Sequence, residues 1–307
     1  MGACFLNCPI WLEVYRMRNV GFIGLGNMGR GMCENIIKNG YPVTLYDQDA
    51  AKMDYFAGRS TCADSSLAVF KASEVIFLSL PNSDVIEKVV GEFLAQGFTG
   101  QTVVDTSTSY PESTKSLYKQ IKAQGGRFLD APLLGGPADT AAGNAPCMIS
   151  GDEEDADPVM DIVQCYASPI NYFGPIGNAH TVKLAMNFTG LMYAALLAQM
   201  FPLIEKLGID TKNLFEIMND KTFGNGVFNF YGRKFVNKDY HMDFALELAL
   251  KDMNYVKRLY DKYNVPAFLL DGGINLMREA VKEGRGTHDT SEMAAVMYEY
   301  FKLDTGE

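Results

Sequence analysis

The chain has 307 residues, 48% of them apolar and 21% charged, with 37 acidic against 27 basic side chains and a formal net charge of −10. That length fits two domains of ordinary size. The acidic balance argues against a surface for nucleic acid, which needs a concentrated excess of Lys and Arg, and it means that an anionic substrate would need local positive charge or backbone donors.

Residues 1–16, MGACFLNCPIWLEVYR, read as an N-terminal extension. They lack the basic start and sustained apolar stretch of a secretory signal, and Leu6 stands where acylation at Gly2 would want Ser or Thr. Met17 is a natural lead into a first strand over 20–24. A helix over 28–38 stops before Asn39-Gly40, and a second strand covers 43–46. The runs 75–80 and 102–105 are continuously apolar, as strands buried on both faces are. Pro81, Pro111 and Gly125-Gly126 punctuate them. An acidic helix is expected over 153–165 and a last strand over 170–173, closing this half. Strands alternating with helices imply a parallel sheet with right-handed crossovers.

Beyond Gly177 the pattern changes. Residues 180–207 are rich in Ala, Leu and Met and contain no Pro before Pro202, which predicts a long helix buried between partners. Further helices are expected over 214–219, 244–263, 271–283 and 291–301, the last capped by Ser291. The expected organisation is an extension over 1–16, an α/β domain over 17–178 and an all-α domain over 179–307. No later stretch reads as long and apolar enough to cross a bilayer, so no membrane partner is expected. The six cysteines (4, 8, 33, 62, 147, 165) and three histidines (180, 241, 288) form no metal-ligand pattern. They read as free thiols and ordinary histidines of a protein in the cytoplasm or another reducing compartment.

Gly24-Leu25-Gly26-Asn27-Met28-Gly29 is a GxGxxG turn set between a strand and a helix. Gly24 permits the tight turn, Gly26 lets the backbone approach a pyrophosphate, and Gly29 lets the helix pack on the strand. The helix N-terminus then offers free N–H groups to phosphate. Asp47 ends the second strand about twenty residues on, where a carboxylate can accept both ribose hydroxyls and repel the extra phosphate of NADP. NAD is therefore expected over NADP, although Lys52 and Arg59 lie near in sequence.

These residues resemble the β-hydroxyacid dehydrogenase family, in the pattern of its 3-hydroxyisobutyrate-type members. The glycine turn with Asn35 looks like the opening signature, and Asp105-Thr106-Ser107-Thr108 with Pro111 like the second. Asp130-Ala131-Pro132-Leu133-Leu134-Gly135-Gly136, with Ala142-Gly143, resembles the substrate loop, Gly177 through Lys183 to Asn187 the catalytic helix, and Lys251-Asp252 after Phe244 the last motif. The resemblance implies a Rossmann-type doubly wound, mostly parallel sheet, an all-α second domain joined by a long helix, and a site between them.

It further implies that Lys183 is the proton-transfer residue and Asn187 its partner, one turn on along the same face. Leu80, Pro81, Thr108 and Lys251 would lie near the cofactor; Thr108 could otherwise cap the helix near Pro111, and Lys251 could pair with Glu247. Leu134, Gly135, Gly136 and Phe244 would line the substrate, the two glycines presenting N–H groups to its carboxylate, although Phe244 could equally belong to the core. Leu134 departs from the family, which has Ser there, and Pro137 and Asp139 alter the same loop. The implied reaction is NAD-dependent oxidation of a small, 3-hydroxyisobutyrate-like β-hydroxy acid. Its rivals are an NADPH-dependent reductase of tartronate, succinic or glyoxylic semialdehyde, whose usual Asn-Arg pair is here Asp47-Gln48, and a catalytically silent NAD-binding module. The apolar long helix and the Met- and Phe-rich second half suggest a homodimer or homotetramer.

Overall fold

The computed structural model describes residues 18–306; the expectations for residues 1–16 and Met17, and the thiols of Cys4 and Cys8, lie outside them. Six strands, β1 (Val20–Ile23), β2 (Val43–Tyr46), β3 (Thr61–Cys62), β4 (Val75–Leu78), β5 (Thr102–Asp105) and β6 (Arg127–Asp130), form one sheet in the order β3-β2-β1-β4-β5-β6. Every pairing is parallel. The reversal of order at β1 places the crevice that binds ligands beyond the C-terminal ends of β1 and β4.

Side chains alternate across the sheet as the period of two requires. Phe22, Phe77, Val104 and Leu129 enter one apolar core, while Ile23, Ile76, Leu78, Val103 and Phe128 enter the core on the opposite face. Helices α1 (Asn27–Lys38), α2 (Ala50–Asp54), α3 (Ser66–Ala72), α4 (Ser83–Gln96) and α5 (Pro111–Ala123) connect the strands. Helix α1 buries Met32, Cys33 and Ile36 at helical spacing and ends at Asn39. Three short elements follow β6: α6 (Pro137–Ala142), β7 (Ala145–Ile149) and α7 (Glu153–Ala156).

Two expectations for this half need correction. The acidic helix is broken: α7 gives way to a 3-10 turn at Asp157–Val159 and then α8 (Met160–Val163), because Pro158 cannot continue the ladder. The last strand, β8 (Ala167–Tyr172), does not extend the main sheet but pairs in parallel with β7 as a separate two-stranded sheet.

The second half is helical: α9 (Asn178–Lys206), α10 (Thr211–Met218), α11 (Gly226–Asn237), α12 (Leu246–Lys262), α13 (Phe268–Ala280) and α14 (Met293–Tyr300). By length and composition α9 is long and apolar enough to cross a membrane, contrary to the sequence reading. It is the spine of a packed core instead. Leu191, Ala194, Leu197, Ala198 and Phe201 are buried among residues of α11 to α14. Its other side leaves Leu196 and Leu203, seven residues apart, exposed. The 3-10 turn Thr290–Glu292 that leads into α14 is capped by Asp289, whose side chain accepts from the Ser291 N–H, so Ser291 lies inside the turn it was expected to begin.

One buried carboxylate joins the halves. Asp130, the last residue of β6, accepts from the N–H groups of Gly177 and His180, each at 2.8 Å, and from the Ser150 hydroxyl at 2.5 Å. It thereby satisfies the first donors of α9, which no side chain of the helix itself caps. His180 is fully buried one turn before Lys183. Its Nε2 lies 3.1 Å from the Ser107 carbonyl, which can only accept, so the proton sits there. Its Nδ1 lies 2.9 Å from the Thr114 hydroxyl. Replacing Asp130 by Ala would strand several buried donors at about 1–3 kcal/mol each. The expected result is a loss of about 3 kcal/mol in unfolding free energy by urea titration; a loss within the error of the titration would show that Asp130 does not anchor the helix.

Candidate active site

The glycine turn is built as its spacing requires. Gly24 has φ +96, and a Cβ there would stand 2.1 Å from the Ser79 carbonyl oxygen. A Cβ on Gly29 would stand 2.0 Å from the Gly24 carbonyl oxygen, so only glycine lets α1 pack this close to β1. Gly26, the N-cap of α1, differs: a Cβ there would meet no protein atom within 4 Å. Packing within the chain does not explain that glycine, whereas a phosphate approaching the helix start does. The first turn of α1 carries neither an acidic side chain nor a side-chain cap, so its N–H groups remain for an anion.

Asp47, 7% exposed, is held at the edge of this turn. Its Oδ2 accepts from the Leu25 N–H at 2.7 Å and its Oδ1 from the Asp49 N–H at 2.9 Å, with the Lys52 ammonium 3.7 Å away. The side chain of Leu25 is buried in the core, so it touches the turn through its backbone alone. Asn27 is exposed, and Met28 packs partly against the same core. These residues fit a dinucleotide, with Gly26 and the start of α1 at the pyrophosphate and Asp47 at a ribose.

A chain of contacts leads from the turn to the lysine. Ser79 lies against Gly24, and the next residue, Leu80, donates its N–H to Ser107 Oγ at 2.9 Å. The Ser107 carbonyl holds His180. One helical turn on, Lys183 is half-buried. Burial lowers its ammonium from the usual range to about 8; Asp252 pulls the other way and Lys251 adds to the lowering. Asn187 donates to Asp252 Oδ2 at 2.7 Å. The apolar neighbours of Lys183 divide: Leu191 and Met192 are buried, but Ala185 and Met186 are exposed, contrary to the expectation of a wholly covered helix here.

Asp252 and Lys251 form the other wall. Asp252 is 1% exposed, and the Lys251 ammonium lies 3.2 Å from its Oδ1. Burial raises the carboxyl above its usual range against the pull of Lys251 and Lys183. Lys251 also donates to the carbonyls of Pro81 at 2.8 Å and Thr108 at 3.0 Å. It bolts α12 to the two loops at the cofactor end of the sheet, and the alternative pairing with Glu247 is not formed. Thr108 caps nothing; the N-cap of α5 is Tyr110.

Two residues expected at the substrate are placed differently. Phe244 packs against the helical core, and its N–H donates to Asp289 at 3.0 Å. Gly136 gives its N–H to Asp139 Oδ2 at 2.7 Å, so that donor is already taken. Leu134 is half-buried and Gly135 exposed. The sequence reading did not single out Asp252, Asp130, His180 or Ser107 as site residues. A carboxylate closing an apolar strand, as Asp105 and Asp130 do, was the available signal, since a buried charge must find partners.

Comparison with known proteins agrees with this geometry. A family model described as the NAD binding domain of 6-phosphogluconate dehydrogenase matches residues 19–174. A second, described as NAD-binding of NADP-dependent 3-hydroxyisobutyrate dehydrogenase, matches residues 177–297. The chain is 28% identical to the mitochondrial 3-hydroxyisobutyrate dehydrogenase of Drosophila melanogaster, over 94% of this chain and 90% of that protein. It is 27% identical to the 2-(hydroxymethyl)glutarate dehydrogenase of Eubacterium barkeri, over 90% and 94%. Among solved structures, a 3-hydroxyisobutyrate dehydrogenase of Mycobacterium tuberculosis with L-serine has the same fold, at a TM-score of 0.82 and 23% identity over 92% of this chain and 99% of that one. A sheet with its glycine turn, an all-helical second half and matches along both together make this chain a member of the β-hydroxyacid dehydrogenase family.

Proposed function

We propose that the protein transfers hydride between NAD and the hydroxyl carbon of a small β-hydroxy acid of the 3-hydroxyisobutyrate type, with Lys183 as general base in oxidation and general acid in reduction. The observation that carries this is the half-buried lysine whose ammonium is lowered to about 8, set one turn beyond the helix start that Asp130 fixes to the sheet. NAD, when bound, supplies the nicotinamide carbon that exchanges the hydride. Lys183 takes the hydroxyl proton, which leaves the oxygen's electrons free to form the carbonyl as the hydride departs. The Asn187 amide, steadied by Asp252, has its oxygen left to orient the hydroxyl. The preference for NAD rests on Asp47, whose carboxylate would oppose a 2′-phosphate.

Spectrophotometric assay across small hydroxy acids should show NADH formed with kcat/KM at least about tenfold above that with NADP. Lys183→Ala should lower kcat by about 10²–10⁴ while NAD still binds, the range that one proton-transfer group supplies. Unchanged turnover in that variant would remove Lys183 from the mechanism.

The pH dependence follows from the same group. Oxidation needs the neutral amine, so kcat/KM should rise through an apparent pKa of about 8 and then level. Asp252 holds that pKa up, so Asp252→Asn should move the acid limb down by about one pH unit. A variant that is slower with an unmoved limb would make Asp252 a packing residue only.

The exposed Leu196 and Leu203 on one side of α9 support assembly into a homodimer or homotetramer, which would cover them. Light scattering at micromolar concentration should give at least twice the monomer mass of 33.9 kDa. A monomeric mass would rule this out.

A further inference from the structure

Helix α12 meets the sheet-bearing half along a single stripe. Lys251, Tyr255, Arg258 and Lys262 recur at helical spacing, which puts them on one face of the helix. Each engages the segment that follows β4 or β5. Lys251 donates to the carbonyls of Pro81 and Thr108. The Tyr255 hydroxyl accepts from the Ser83 N–H at 2.9 Å. The Arg258 guanidinium lies 3.8 Å from the centre of the Tyr110 ring, and Lys262 pairs with Glu112 at 2.7 Å.

Tyr255 makes the most enclosed of these contacts, with the tyrosine 7% and Ser83 2% exposed. Ser83 is the first residue of α4, so its N–H has no acceptor within its own helix. The Asn82 side chain caps Val85 instead. The Ser83 hydroxyl in turn accepts from the Tyr110 N–H at 2.7 Å, and the Tyr110 and Tyr255 rings lie 5.9 Å apart. One hydroxyl from the helical half thus fixes the end of the loop after β4 and, through Ser83, reaches the segment after β5.

The loop after β4 lies against the glycine turn. A Cβ on Gly24 would stand 2.1 Å from the Ser79 carbonyl oxygen and 3.1 Å from Leu80 Cδ2. The backbone from Leu80 to Ser83 is then held by Ser107 at the Leu80 N–H, by Lys251 at the Pro81 carbonyl and by Tyr255 at the Ser83 N–H. The crevice beyond the ends of β1 and β4 opens over this stretch.

We propose that Tyr255 is a positioning residue for NAD: it clasps the loop after β4 against the glycine turn, so that a side chain of the helical half sets cofactor affinity. The proposal rests on the function given above and adds to it a residue that acts through Ser83 rather than on the reacting atoms. Without the hydroxyl, the buried Ser83 N–H loses its acceptor, and the loop is free to take other positions. The apparent dissociation constant then rises as the fraction of chains with the loop in place falls.

The test is fluorescence titration of the purified full chain with NADH, beside steady-state assay with NAD. Tyr255→Phe keeps the ring and removes the hydroxyl. It should weaken NADH at least about fivefold and raise KM for NAD in step, while kcat at saturating NAD stays within about twofold, since bound cofactor restores the loop. A role in stability alone would do the reverse: it would shrink the active fraction, and kcat with it, and leave the dissociation constant where it was. Lys262→Ala removes the exposed ion pair at the far end of the stripe and should leave NADH binding within about twofold of wild type. An unchanged dissociation constant in Tyr255→Phe, or an equal loss in Lys262→Ala, overturns the role of Tyr255 and leaves the hydride transfer standing. If Tyr255→Phe does not fold, amide exchange in the wild type decides: NADH should slow exchange over 80–83 and 251–258 together, and slowing of the first without the second overturns the proposal. A wild type that binds no NADH overturns the function itself.

Discussion

The structure depends on one buried carboxylate meeting the start of one helix. Asp130 ends an apolar strand and receives the first free N–H groups of α9. A fully buried charge is tolerated only when its oxygens are filled, and here two backbone donors and a serine hydroxyl fill them. The arrangement fixes both the position and the rotation of α9 relative to the sheet. Since residues at helical spacing inherit that rotation, the sheet dictates where Lys183 and Asn187 stand. His180 adds a second constraint by tying the same turn to the Ser107 carbonyl.

From that anchor the polar groups form a connected path across the two halves. Ser107 supports Leu80, Leu80 follows the residue that packs on Gly24, and Gly24 shapes the turn before α1. On the other side, Asn187 meets Asp252 on α12, and Lys251 returns from α12 to Pro81 and Thr108. The loops that would hold a cofactor, Asn187 and the start of the helix that carries Lys183 are therefore joined by hydrogen bonds and packing contacts. Local packing such as that of Phe244 lies outside that path, which explains why an aromatic close to a site motif in sequence belongs to the helical core in space.

Much of the fold was legible because strand and helix periods are written in apolar residues. Strands β1, β2, β4 and β5 and helix α1 lie where their patterns place them, to within two residues. The glycine turn was legible for a stronger reason, since Gly24 and Gly29 answer to backbone atoms a short way off in sequence or space. Strand β3 was missed because two exposed residues carry no periodic signal. Helix α11 was missed because its cap, Asn225, sits in a run of Gly and Asn that reads as loop. Helix α9 is long and apolar because it is the spine of the helical core, where Leu191, Leu197 and Phe201 are buried. The roles of Asp252 and Asp139 could not be seen in sequence. Each depends on which donor reaches a carboxylate, and that is a matter of a few ångströms rather than of spacing.

Lys251 illustrates what a fixed charge does that a mobile one cannot. Its ammonium is held by two carbonyls from separate loops and stands beside a buried carboxylate. So tethered, it cannot swing to follow an incoming molecule, and its field at Lys183 is present whether or not anything is bound. The polarity of the crevice is then a property of the resting protein, installed as it folds. Little dipolar rearrangement is left for the moment when charge moves.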